Sequence, residues 1–133
     1  MSISSLYCPF RAIGYVSDGN PFCLNKLGEE LFITVSIGNC FQVIRYNKLI
    51  TCLVSKPAKG KITSLQVNGH ETFASIDKEI IVFDRNNIVR TYSDDHQYPI
   101  IGLLSISNTL ISYDVGNNIK VSSLFSNYSY NDY

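Results

Sequence analysis

The 133-residue chain has no tryptophan, one methionine and only two histidines. Its 11 basic and 11 acidic side chains cancel at pH 7. A chain without net charge has no long-range field for a polyanion, so any contact with RNA has to be local. No apolar run reaches 18 residues, which leaves nothing long enough to cross a bilayer as a helix. The N-terminus lacks a charged-then-apolar secretory segment, so a reducing compartment is expected. The four cysteines, Cys8, Cys23, Cys40 and Cys52, form no C-x-x-C pair, and none has a histidine nearby in sequence. Zinc needs four convergent ligands, so these are expected to be buried free thiols and not a metal site. Nucleophile-elbow, H-E-x-x-H, Walker and dinucleotide fingerprints are all missing. The one dense titratable cluster is Asp94-Asp95-His96, and adjacent residues on a turn point apart. Neither an enzyme nor a cofactor or metal site is therefore expected.

What the chain does have is 45% hydrophobic residues, enough for one domain with a core. They are Ile, Val, Leu, Phe and Tyr far more than Ala or Met, a choice that fits a pleated surface. No helix-period pattern competes anywhere. Short apolar runs are separated by turn signals such as Asn68-Gly69, the strongest hairpin dipeptide in the chain.

One motif is written three times: Asn39-Cys40-Phe41-Gln42-Val43-Ile44-Arg45, Lys78-Glu79-Ile80-Ile81-Val82-Phe83-Asp84, and Asn117-Asn118-Ile119-Lys120-Val121-Ser122-Ser123. Phe41, Ile80 and Ile119 align, as do Val43, Val82 and Val121, with 39 residues between copies both times. A fixed repeat near 40 residues is the mark of a propeller blade of the WD type, each repeat being one four-stranded sheet. Phe83-Asp84 stands where the Trp-Asp signature would be. The expected fold is all-β: a partial WD-type β-propeller of about three blades of four-stranded antiparallel sheet. The blades fall at about 21–54, 62–92 and 99–125. Residues 1–20 form an N-terminal segment whose 11–16 strand could close a ring, and 126–133 read as a disordered tail. A fourth strand of the last blade is reduced to a stub at Leu124-Phe125. Three blades leave two bare sheet faces, so self-association of the arc is expected.

Two groups of residues stand out. Lys56, Lys59 and Lys61 lie in an apparent surface loop, 55–61, and are the candidates for a phosphate or RNA contact. His96 sits where a WD repeat carries its Gly-His, four residues before Ile100, and Ser112 occupies the second-strand position that such a His bonds. His96, Ser112, Phe83 and Asp84 are accordingly read as structural blade residues. The repeat places the next member of that network on Gly116 and the last on Ser122, while Asp114 reads as part of the hairpin turn. The network is therefore expected to stop at Ser112. His70, next to Gly69, is read as a surface turn residue.

The run Pro9-Phe10-Arg11-Ala12-Ile13-Gly14-Tyr15-Val16, with Pro21-Phe22, Phe32-Ile33-Thr34-Val35-Ser36-Ile37-Gly38 and Phe41-Gln42-Val43, is more specific than the repeat. Over roughly residues 7–123 the chain resembles the N-terminal blades of a WD-repeat family of the U3 small nucleolar RNA particle. That family is U3-associated protein twenty-one, called WD repeat-containing protein thirty-six in animals. The resemblance implies a non-catalytic protein-interaction scaffold of the small-subunit processome, acting in pre-18S ribosomal RNA processing in the nucleolus. It implies as partners other processome WD-repeat proteins, with U3 small nucleolar RNA or pre-rRNA contacted indirectly, and no membrane. The third blade departs from the family pattern, ending in Val121-Ser122-Ser123 instead of Val-Trp-Asp. Two other readings stay open: a WD-type adaptor of another multiprotein complex, and a small ligand-binding β-barrel. Consecutive four-stranded meanders would separate blades from a barrel.

Overall fold

The computed structural model describes residues 17–48, 50–93 and 95–124. Among these residues every regular element is a strand, eleven in all. They are β1 (Cys23–Leu27), β2 (Glu30–Ile37), β3 (Cys40–Arg45), β4 (Ile50–Val54), β5 (Ser64–Asn68), β6 (Glu71–Ile76), β7 (Glu79–Asp84), β8 (Asn87–Tyr92), β9 (Ile100–Ile106), β10 (Thr109–Asp114) and β11 (Ile119–Ser123).

Each strand pairs antiparallel with the next, giving the sheets β1-β2-β3-β4, β5-β6-β7-β8 and β9-β10-β11. These are consecutive meanders with no ladder running from one sheet to another, which excludes a closed barrel over the described strands. The third sheet shows three strands. Leu124 is a turn residue, and the expected stub at Phe125 lies outside the described residues, as do the 11–16 strand and the 126–133 tail.

Register carries the repeat into three dimensions. Phe41 pairs with Ser36, Ile80 with Ser75 and Ile119 with Tyr113. Each copy of the motif thus lies on the third strand of its sheet, although the β10–β11 hairpin is one residue longer than the other two. The hairpins turn on residues that tolerate left-handed backbone: Gly28, Gly38 and Gly69 at φ 61 to 63°, and Asp77, Arg85, Ser107 and Asn117 at φ 51 to 63°.

The first strands of the three sheets sit side by side, β5 packing on β1 and on β9. Two cores fill the seams. Between blades one and two lie Phe41, Leu65, Ala74, Ile76, Ile81 and Phe83, with Phe41 and Phe83 edge to face, centroids 4.9 Å apart. Between blades two and three lie Phe73, Ile80, Val82, Ile100, Leu103 and Leu110. Strand β7 therefore sends alternate residues into different cores, which is why Ile80-Ile81-Val82-Phe83 is an unbroken apolar run.

Candidate interaction surfaces and the polar latches between blades

Residues 55–61 do not form the fully solvated loop expected from their composition. Ser55 and Ala58 are buried. The Ser55, Ala58 and Ile62 amides donate to the carbonyls of Phe41, Asn39 and Gly38, at 2.9, 2.8 and 2.9 Å, and the Lys56 amide donates to the Asn86 carbonyl at 3.1 Å. The backbone is strapped across the β2–β3 hairpin while Lys56, Lys59 and Lys61 project outward. Lys59 forms an ion pair with Glu79, so Lys56 and Lys61 are the two that no ion pair holds among the described residues.

His96 is buried, and its ring bonds two residues of β10: Nε2 lies 2.7 Å from Ser112 Oγ and Nδ1 lies 2.8 Å from Asp114 Oδ2. The network does not stop at Ser112. Asp114 closes β10 instead of lying in the turn, and period two puts it on the buried face with Leu110 and Ser112. A bulge in the β9–β10 ladder at Tyr113/Asp114 accompanies this placement. Asp114 Oδ1 accepts from the Gly116 and Asn118 amides at 2.9 and 3.0 Å, and the Asn118 side chain donates to the same carboxylate. Burial alone raises the Asp114 carboxyl, but the bonds from His96, Asn118 and Gly116 outweigh it and hold the group below its ordinary value. A buried polar set with every member bonded fixes the β10–β11 turn.

Equivalent latches in the other seams are absent from the sequence-based expectations. Asn20 Nδ2 donates to Ser36 Oγ at 3.0 Å and to the Ile62 carbonyl at 2.9 Å. Thr63 Oγ1 lies 2.8 Å from Ser75 Oγ and donates to the Ile100 carbonyl at 2.9 Å. In both cases a polar side chain leading into a blade holds the second strand of its own sheet and the chain as it enters the next blade. Ser36 and Ser75 are 39 residues apart, the period of the repeat, and that spacing was the available signal.

Phe83 is fully buried and Asp84 exposed at the end of β7. His70 is exposed in the β5–β6 turn. The thiols depart from the expectation of burial: Cys23 and Cys40 are half-buried, Cys52 is exposed, and Cys8 lies outside the described residues. Burial pushes the Cys23 thiol up to about 11, the Val67 amide offsetting part of the effect. Among the described residues no cluster of three metal-ligating side chains occurs, and no helix is long and apolar enough to cross a membrane.

Consecutive antiparallel meanders, two of four strands and one of three among the described residues, packed through their first strands define a partial β-propeller of the WD type. Solved structures agree on the fold. The WD40 β-propeller domain of Doa1 superposes with a TM-score of 0.63 at 12% identity, over 77% of this chain and 36% of that one. A chain of the mitotic checkpoint complex gives 0.65 at 13%, over 86% and 37%. The computationally designed Ika4 protein gives 0.60 at 18%, over 81% and 70%. No family model matches the sequence. Among curated proteins, the chain is 33% identical over 86 residues to the U3 small nucleolar RNA-associated protein 21 homolog of Schizosaccharomyces pombe, and that match covers 65% of the chain. It is 32% identical over 83 residues, 62% of the chain, to U3 small nucleolar RNA-associated protein 21 of Saccharomyces cerevisiae. The chain folds as part of a WD-type propeller and is similar in sequence, over these residues, to U3 small nucleolar RNA-associated protein 21. Its match spans only about a tenth of the length of either relative, 10% and 9%.

Proposed function

We infer that the arc is a non-catalytic scaffold element of the small-subunit processome in the nucleolus, supporting pre-18S ribosomal RNA processing within the U3 particle. The observation that carries this reading is the 32–33% identity to two proteins named for association with U3 small nucleolar RNA. The chemistry agrees with a scaffold: the buried His96 and Asp114 are spent on each other and on Ser112, Gly116 and Asn118. Partners in this reading are other WD-repeat proteins of the particle, with RNA held mainly through them. Lys56 and Lys61 are the residues on offer for a local phosphate contact, Lys59 being paired with Glu79.

The test is to tag the chain at its native locus, purify it gently and measure U3 small nucleolar RNA in the eluate. Enrichment over an unrelated nuclear protein is expected. Recovery no better than that control sinks the reading and leaves a WD-type adaptor of a different complex. Joint Lys56→Glu and Lys61→Glu substitution separates the two routes to RNA: unchanged U3 recovery means protein-mediated association, and a steep loss means direct phosphate contact.

A further inference from the structure

A cleft of about 430 Å³ opens between blades one and two, where the β1–β2 and β5–β6 hairpins face each other. Its floor is apolar, made by Phe32, Val43, Leu53 and Val67. Its rim carries two cations, Arg45 and Arg85, with His70 beside them, and no carboxylate lines it. The volume lies within the range of pockets that seat a ligand or a few side chains.

The rim charges are incompletely used by the protein. The Arg45 guanidinium lies 5.9 Å from the centroid of Phe32, with its Nε buried and without a hydrogen-bond acceptor. Its nearest carboxylate is Glu30, at 3.6 Å, an ion-pair distance that is too long for a hydrogen bond. Arg85 makes no ion pair among the described residues, although its backbone is fixed at φ 56° by the β7–β8 turn. Glu71 and Asp84 lie in a neighbouring depression with His70 and Arg85, and Glu71 is already held by both bonds from Arg90, at 2.9 and 3.0 Å. Two arginines therefore line an apolar floor, Arg45 with only a loose ion pair to Glu30 and Arg85 with none among the described residues.

We propose that this cleft is a docking site for an acidic peptide: an extended segment of a protein partner that sets a Glu or Asp against Arg45 and Arg85 and buries flanking aliphatic side chains on the floor. Guanidinium forks match a carboxylate with two parallel bonds, and a desolvated floor strengthens them. An RNA strand fits less well. It would need faces for base stacking, and the aliphatic residues of the floor provide none while Phe32 is engaged by Arg45.

The site gives the scaffold reading a particular surface and rests on that reading, but its test is independent of U3 recovery. Random heptapeptides displayed on phage are selected on the full chain and on an Arg45→Met, Arg85→Asn variant. Methionine keeps the apolar stem over Phe32, and asparagine tolerates the left-handed backbone at 85. Circular dichroism and a thermal melt matching the parent establish that the variant is folded. Peptides pairing acidic with aliphatic residues should enrich on the parent chain, and labelled copies should bind the variant at least tenfold more weakly in anisotropy. Absence of such enrichment, equal binding to the variant, or selective binding of a uridine-rich oligonucleotide that the variant loses, each overturns the proposal.

Discussion

Blades two and three carry the same motif on their third strands, yet they bury it differently. In blade two, Ile80 and Val82 face blade three, Ile81 and Phe83 face blade one, and all four are within 4% of full burial. In blade three, Ile119 and Val121 hold the positions of Ile80 and Val82 and are each 68% exposed. Leu104, Tyr113 and Ile106 share their surface and are also exposed. Apolar residues at these positions therefore report the repeat and not burial. Burial comes from the neighbouring blade, which the described residues supply for blade two on both sides and for blade three on one.

The comparison breaks most sharply at Phe83. Replacing this fully buried ring by alanine removes its contact with Phe41 and opens a void in the seam between blades one and two. Core Phe→Ala changes cost about 3–5 kcal/mol, a large part of the stability of a domain this size. Urea denaturation of Phe83→Ala should show that loss or no folded baseline at all. A cost below about 1 kcal/mol would mean that the seam is not a packed core.

The polar latch of blade three contains an ionisable carboxylate and the Thr63–Ser75 latch of blade two does not, so acid should separate them. The Asp114 carboxyl is held below its ordinary value in the folded chain, so the unfolded chain takes up that proton at a higher pH than the folded one. The stability from this group is fully present above the unfolded value of about 3.9 and is lost as pH falls through the lowered folded value. Asp114→Asn should be less stable than the parent at pH 7, and the gap should narrow as pH falls below about 4. Thermal melts from pH 7 to pH 2 measure both; a pH-independent gap would assign the loss to packing alone.

Most of the fold was legible because period and register are local quantities. The three copies of the motif read from the 39-residue period hold the third strands β3, β7 and β11. Asp114 was misread through one choice, ending the strand at Tyr113. Parity alone puts residues 112 and 114 on one face, but whether the strand reaches 114 depends on the bulge against β9 and on the two Asn118 donors. The docking of 55–61 was not legible because its bonds, most of them to backbone carbonyls, reach residues far away in sequence, and the charged composition of the segment gives no sign of them. The cleft was hidden for a different reason. Its rim joins Arg45 from one repeat to His70 and Arg85 from the next, and only packing brings them together.

Cys23 sharpens the contrast between a closed seam and an open edge. It leans on the core between blades one and two, its thiol 2.9 Å from the Leu65 carbonyl, whereas Cys52 is exposed on β4. A thiol moved from 9.0 to about 11 holds roughly 100-fold less thiolate at pH 8. Iodoacetamide should therefore label Cys52 first and Cys23 about 100-fold more slowly than an unperturbed thiol. Comparable rates at the two sites would mean that blade one lifts away from blade two on the timescale of alkylation.

The smallest effect on stability belongs to Val121, and it is the most informative about the exposed face. A Val121→Ser change there should alter urea stability by no more than about 0.5 kcal/mol, because two-thirds of the side chain is already in water. Association should respond instead. Each internal seam seats the third-strand residues of one blade against the next, Phe41 and Val43 against blade two, Ile80 and Val82 against blade three. Ile119 and Val121 present the same chemistry outward, while Phe22 and Leu24 stand exposed on blade one. Light scattering of the parent chain should therefore show concentration-dependent association that Val121→Asp abolishes. Blade one's Leu24→Asp should abolish it too, and mixing the two variants should restore a single contact, since each retains the surface that the other has lost. A parent chain that stays monomeric at millimolar concentration would show that apolar exposure on this arc is too dispersed to drive contact.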